Sequence, residues 1–128
     1  SRVLETKAAS ILQPALGRVG GILEAKKIAG MAEASYAQIA PHLYCGPIEG
    51  AANIQLSTCS PNFLILEGIK RWDGFHAEIL NKPIRWESGY VIPSKDPGLG
   101  VELNEEVALA HPYSDKELHL EMADKPVE

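Results

Sequence analysis

The sequence has 128 residues, 45% of them apolar and 23% charged, with a net charge of −5. That suits one soluble domain with a sizeable core, and no run of Lys or Arg offers a dedicated nucleic-acid surface. No stretch reaches the roughly 20 apolar residues that span a bilayer, and the opening SRVLETKAAS lacks the apolar centre of a signal peptide. Cys45 and Cys59 make neither a zinc pattern nor a disulfide scaffold, which points to two reduced thiols in a cytoplasmic protein.

The first apolar segment is residues 11–15 (ILQPA). Pro14 suits a strand giving way to a loop. GRVGG then makes a flexible turn before GILEAKKIAGMAEAS. In that stretch Ile22, Ala25, Ala29 and Ala32 recur at helical spacing, with Lys26, Gly30 and Glu33 on a more exposed face. Gly30 costs the helix roughly 1 kcal/mol against alanine, a cost that close packing on a sheet would justify.

YAQIA at 36–40 is the second expected strand, followed by the loop PHLYCGP. Gly46-Pro47 opens a helix through IEGAANIQLST, with proline where its missing N–H costs little. NFLILE at 62–67 is the third strand. Its continuous apolar run over 63–66 predicts cover on both faces.

The strand starts near 11, 36 and 62 repeat with a helix in each interval, as parallel βαβ units require. The implied order is β-α-β-α-β. A (β/α)₈ barrel needs about 250 residues, so three such strands are either part of an open TIM-type α/β barrel or a small doubly wound sheet.

After residue 68 the pattern changes. WDGFHAEIL suggests a short helix with Asp73 as cap. PIRWESGYVIP reads as extended pieces around Arg85-Trp86 and Tyr90-Ile92, turned by Ser88-Gly89. PSKDPGLG is a loop, Asn104 can cap a helix over EEVALAH, and little periodicity follows Pro112. Residues 1–79 therefore hold the parallel α/β units, part of a barrel or of a doubly wound sheet, and residues 80–128 read as a tail wrapped over a larger body.

In parallel α/β architecture, sites gather at the carboxyl ends of strands. That rule selects Ala15 to Arg18, His42 and Glu67. An imidazole directly after an apolar strand can work as general acid or base, and equally can be a loop residue bonded to a neighbour. Glu67 can orient a substrate, donate a hydrogen bond if protonated, or cap the next turn. Arg18 can grip a substrate carboxylate, though a surface or intersubunit ion pair is the commoner role for such a residue. GRVGG has neither nucleotide-binding glycine pattern. His76, His111 and His119 lie outside the strand ends, while Trp72, Trp86 and Tyr90 can cover an apolar edge. No spaced metal-ligand motif occurs, and Glu102, Glu105 and Glu106 read as a solvated helix start.

The ordered runs ILQPALGRVGGILEAKKIAGMAEA, QIAPH and NFLILE resemble the last part of the barrel in the enolase superfamily. The resemblance is to the mandelate racemase/muconate lactonizing enzyme group. WESGYVIPSKDPGLGVEL is similar to that group's C-terminal tail, which packs on an N-terminal capping domain. APH followed by a GP loop looks most like acid-sugar dehydratases of galactonate dehydratase type. The resemblance implies that these are the last three β/α units, with His42 as acid/base at the seventh strand and Glu67 as substrate-facing carboxylate at the eighth. It also implies removal of a proton alpha to a carboxylate with Mg²⁺, whose ligands and lysine base lie on strands outside this chain, together with remaining barrel strands, a capping domain and homo-oligomeric assembly. One position departs. The family's strand-six Pro-Asp is here Pro14-Ala15, and alanine cannot orient an imidazole as a backing carboxylate does. Acid-sugar dehydration is the preferred expectation; racemisation or cycloisomerisation of a small carboxylate, and a non-catalytic oligomer-forming relative, are the alternatives.

Overall fold

The computed structural model describes residues 1–68 and 73–112. A helical turn, α1 (Arg2–Glu5), precedes strand β1 (Ile11–Leu12). Pro14 ends the regular pairing, and α2 (Leu16–Val19) begins directly after Ala15. The expected flexible turn is thus partly helical. It stops at Gly20, whose φ of 104° supplies the left-handed C-cap, with its N–H donating to Leu16 O.

Helix α3 (Ile22–Ala34) connects to β2 (Gln38–Ile39), and α4 (Pro47–Thr58) follows with proline in its first turn. Strands β1 and β2 are parallel, pairing Ile11 with Gln38 and Leu12 with Ile39. The ladder continues to an Ala15–His42 bridge on one side and reaches Phe63 from Ile39 on the other, both parallel. Parallel neighbours with an intervening helix are the βαβαβ order that the repeat predicts.

Successive strand side chains alternate between faces, and the two faces meet different surroundings. Leu12 and Ile39 turn to the helices, where Ala25, Ala29 and Ala32 of α3 join Leu16, Ala37 and Leu56 in the core. Three alanines at this contact let the helix approach closely, and Leu56 and Ile39 fill the space between. Ile11 and Gln38, paired across the ladder on the other face, are exposed. Ile22, expected inside, is 42% exposed at the first position of α3. Gly30 is also exposed, and a Cβ there would meet nothing within 4 Å, so its helix cost has no packing return.

Two expected elements come out shorter. Tyr36 has φ of 59° and is 98% exposed, so it ends the turn after α3 rather than starting the strand. The third strand, expected over 62–67, keeps only its first rungs: Ile39 N–H donates to Asn62 O and Leu64 N–H donates to Ile39 O, each at 2.9 Å. Leu64 and Ile65 are 44% and 62% exposed, contrary to the expectation of cover on both faces. An apolar strand stays paired and buried only where a neighbour continues the sheet, and among the described residues none lies beyond this edge. Asn62 still anchors the start, donating through Nδ2 to Ala29 O at 3.0 Å and Ala37 O at 2.9 Å.

The remaining elements are α5 (Phe75–Glu78), hairpin strands β3 (Arg85–Glu87) and β4 (Tyr90–Ile92), and α6 (Glu105–Ala110). Gly74, with φ of 56°, occupies the N-cap of α5, so the expected cap Asp73 lies one position outside. Ser88 and Gly89 both have positive φ, the backbone that matches a tight hairpin to strand twist. Asn104 Oδ1 accepts the Val107 N–H at 3.3 Å, as a capping asparagine should. Trp72 and His119 lie outside the described residues.

This second half has little interior of its own. Over 80–112 only Leu80 and Gly100 are buried. Gly100 has φ of 73°, and a Cβ there would lie 2.4 Å from Ser94 Cβ, so glycine alone fits. Gln55 of α4 donates to Leu99 O at 3.4 Å, holding this loop against the helix.

Candidate active site

The parallel ladder brings three segment ends to one rim. Ala15 and His42 sit side by side across the first pair of strands, and His42 N–H donates to Pro14 O at 3.1 Å. On the other side, Asn53, fully buried in α4, reaches the His42 carbonyl through Nδ2 at 3.5 Å. The His42 backbone is therefore fixed from both flanks, and its half-buried ring is left at the mouth.

Glu67 arrives from the third strand segment. Its Oε2 lies 2.5 Å from His42 Nδ1 and accepts the Leu43 N–H at 2.9 Å. Two residues selected separately by their strand-end positions thus form one unit. Both side chains keep just over a third of their surface exposed, so the pair is held yet reachable. An accepting carboxylate at Nδ1 leaves Nε2 as the ring nitrogen outside that contact.

Arg18 lies in α2, three residues past the Ala15–His42 bridge, and is exposed. Among the described residues its guanidinium meets no carboxylate. His76 and His111 are both drawn to Phe75, with ring centroids 6.0 and 4.7 Å away, and belong to the second half instead. His111 also bonds Val107 O through Nδ1 at 2.9 Å. Trp86 and Tyr90 help line a groove of about 490 Å³ beside Leu64 and Leu66, along the open edge.

The described residues do not fit a metal. Among the described residues, no group of three His, Cys, Asp or Glu side chains comes close enough to hold an ion. Glu67 already spends one oxygen on His42 and the Leu43 N–H.

The family model described as enolase C-terminal domain-like matches residues 1–107. The chain belongs to that family. Within the enolase superfamily it falls in the mandelate racemase/muconate lactonizing enzyme group, close to galactonate dehydratase-type members. It is 44% identical over 117 residues to D-galactonate dehydratase of Cronobacter sakazakii, covering 85% of this chain and 30% of that protein. A solved mandelate racemase/muconate lactonizing enzyme structure from Labrenzia alexandrii superimposes with TM-score 0.87 at 70% identity, covering 93% of this chain and 31% of its own. An enolase of Pantoea ananatis, solved with bound D-gluconate and Mg, gives TM-score 0.81 at 30% identity over 88% of this chain and 27% of its own. The chain spans less than a third of the length of each of these relatives.

For this enolase-type chain the parallel units are an incomplete TIM-like barrel, not a small doubly wound sheet. The open edge beyond residue 64 and the exposed face bearing Ile11 and Gln38 are then an uncovered flank and an uncovered lumen.

The strand-end rule does not select Glu49 or Cys45, which also sit at this rim. Glu49 lies in the first turn of α4 and accepts the Gly17 N–H at 2.8 Å, tying the turn after the first strand to the helix after the second. A carboxylate three residues past the N-cap is the signal that marks it, since that position seeks backbone N–H groups. Burial comes first, then a hydrogen bond to Glu49 and its negative charge, in pushing the Cys45 thiol up to about 12 from an ordinary 9.0. Alkylation needs the thiolate, whose share at pH 8 would be on the order of 10⁻⁴ for such a thiol. The expected outcome of iodoacetamide labelling at pH 8 is modification of exposed Cys59 well before Cys45, read by peptide mass spectrometry. Cys45 labelling should keep rising beyond pH 10. Equal rates at both cysteines would contradict the buried, Glu49-bonded thiol.

Proposed function

We propose that this chain supplies the acid/base histidine and a site carboxylate of an acid-sugar dehydratase, within a longer cytoplasmic enzyme. The carrying observation is the His42–Glu67 pair, 2.5 Å apart at the ends of adjacent parallel segments. Its catalytic use is supported by the likeness to D-galactonate dehydratases and to an enolase holding D-gluconate.

On this reading, a base outside the chain first removes the proton alpha to the substrate carboxylate. The β-hydroxyl then leaves as water, taking a proton from His42 Nε2, and the enol so formed becomes a 2-keto-3-deoxy acid. General acid help is needed because hydroxide is a poor leaving group. Arg18 and Glu67 are the further substrate-binding residues of this reading, Arg18 through the substrate carboxylate. Mg²⁺ is the proposed cofactor, held by ligands outside this chain. Further barrel strands, an N-terminal capping domain under the 80–128 tail, and a homo-oligomer complete the proposed assembly; neither nucleic acid nor membrane has a part in it.

The test is the longer protein carrying this chain, supplied with Mg²⁺ and a panel of aldonates and aldarates. Formation of a 2-keto-3-deoxy acid, trapped by a carbonyl reagent, is the expected result. Epimerisation at the alpha carbon without loss of water would instead establish the racemase alternative.

A further inference from the structure

We propose that Glu67 is the positioning residue of His42, holding Nδ1 so that Nε2 faces the substrate. Three observations converge on this role. Glu67 Oε2 lies 2.5 Å from His42 Nδ1, a charge-assisted contact of short geometry. The same oxygen accepts the Leu43 N–H at 2.9 Å, which fixes the carboxylate against the backbone that carries the ring. The other side of the ring offers no replacement, because the residue bridged directly to His42 is Ala15, whose methyl neither accepts nor donates a hydrogen bond.

The backbone contacts show why a side-chain partner is required. Pro14 O and Asn53 Nδ2 secure the His42 amide and carbonyl, but neither restrains rotation about the bonds to the ring. Among the described residues, Glu67 is the side chain recorded against an imidazole nitrogen. An accepting carboxylate there places a proton on Nδ1 in the neutral ring, so the nitrogen with a free lone pair is Nε2. Once protonated, the ring would present its Nε2–H outward. Glu67 would thus act through His42 rather than on the reacting atoms.

The register of the ladder supplies a matched test. Parallel neighbours across one bridge have side chains on the same face, so an aspartate at position 15 would stand beside the imidazole from the opposite flank. In the longer enzyme, Glu67→Ala should lower kcat for dehydration by about 10–100-fold, the usual scale for losing an orienting partner. Ala15→Asp in that background should restore much of it, with little effect of Ala15→Asp alone. Glu67→Gln serves as the second variant where the alanine substitution disturbs folding; it keeps the shape but brings an amide N–H towards the ring.

The turnover arm rests on the dehydratase reading. Nitrogen-15 NMR of labelled histidine does not, because it reads the His42 tautomer without substrate. The expected result is an Nδ1–H signal in the parent, its loss in Glu67→Ala and its return in the Ala15→Asp, Glu67→Ala double variant. An unchanged tautomer in folded Glu67→Ala would overturn the proposal even if the enzyme is a dehydratase. A raised KM at unchanged kcat would do the same, by showing that Glu67 only binds substrate. The expected tautomer series in an enzyme without dehydratase activity would support the positioning role while rejecting the proposed reaction.

Discussion

Replacing His42 with asparagine in the longer enzyme is expected to cut dehydration about 10²–10⁴-fold, the usual scale of positioned acid/base help. Folding should survive, because the half-buried ring contributes little to the core and the backbone keeps its contacts with Pro14 and Asn53. Exchange of the substrate's alpha proton with solvent should fall much less, since the proposed reaction assigns that earlier step to a base outside the chain. Measuring the two reactions separately on acid sugars makes the outcome decisive. Undiminished dehydration would remove His42 from the mechanism. Equal loss of both would make it the proton-abstracting base or a substrate-positioning group.

Ala15→Asp connects this result to the barrel's local geometry. Position 15 is paired with position 42 through the backbone, so a change of side chain there reaches the imidazole without altering the ladder. His42→Asn removes the proposed proton donor, whereas Ala15→Asp changes only its surroundings. A large loss from the first with a small effect from the second is expected while Glu67 continues to bond Nδ1.

Much of this arrangement was legible in the residues. Three apolar segments about one βα unit apart, joined by an alanine-faced helix and a proline-started helix, were enough for parallel strands in sequence order. The strand-end rule was enough to select His42 and Glu67. The hairpin turn at Ser88-Gly89 and the Asn104 cap were equally plain, because both depend on local backbone preferences. What the residues could not convey was contact across the rim. Glu67 is 25 positions beyond His42, and the meeting of its oxygen with Nδ1 depends on two strand directions and a rotamer. The Glu49 link to Gly17 has the same character. The Asp73 cap failed for a local reason: Gly74 took the N-cap with a left-handed backbone, which an aspartate at 73 could not anticipate.

The apolar run at 62–67 keeps only one bridge, at Phe63, because its pairing and burial depend on neighbours, and it leads to the second large expected effect. Expressed alone, the 128-residue chain should self-associate at micromolar concentration through this edge. Leu64 and Ile65 are 44% and 62% exposed, among the described residues the sheet pairs no further after Leu64 N–H reaches Ile39 O, and the 490 Å³ groove alongside is walled by Leu66, Trp86 and Tyr90. Unpaired edge groups beside apolar side chains invite another strand. Full burial of an aliphatic side chain is worth roughly 1.5–3 kcal/mol, so Ile65→Lys should weaken association by roughly tenfold or more, each tenfold requiring about 1.4 kcal/mol. Sedimentation velocity over a concentration series reads this directly. Supplying the remaining barrel units in trans should compete with self-association and yield a one-to-one complex, because the same edge would then be paired. A monomer that melts cooperatively across that range, with no response to Ile65→Lys, would mean that the exposed flank is tolerated and that this part of the barrel folds as an independent unit.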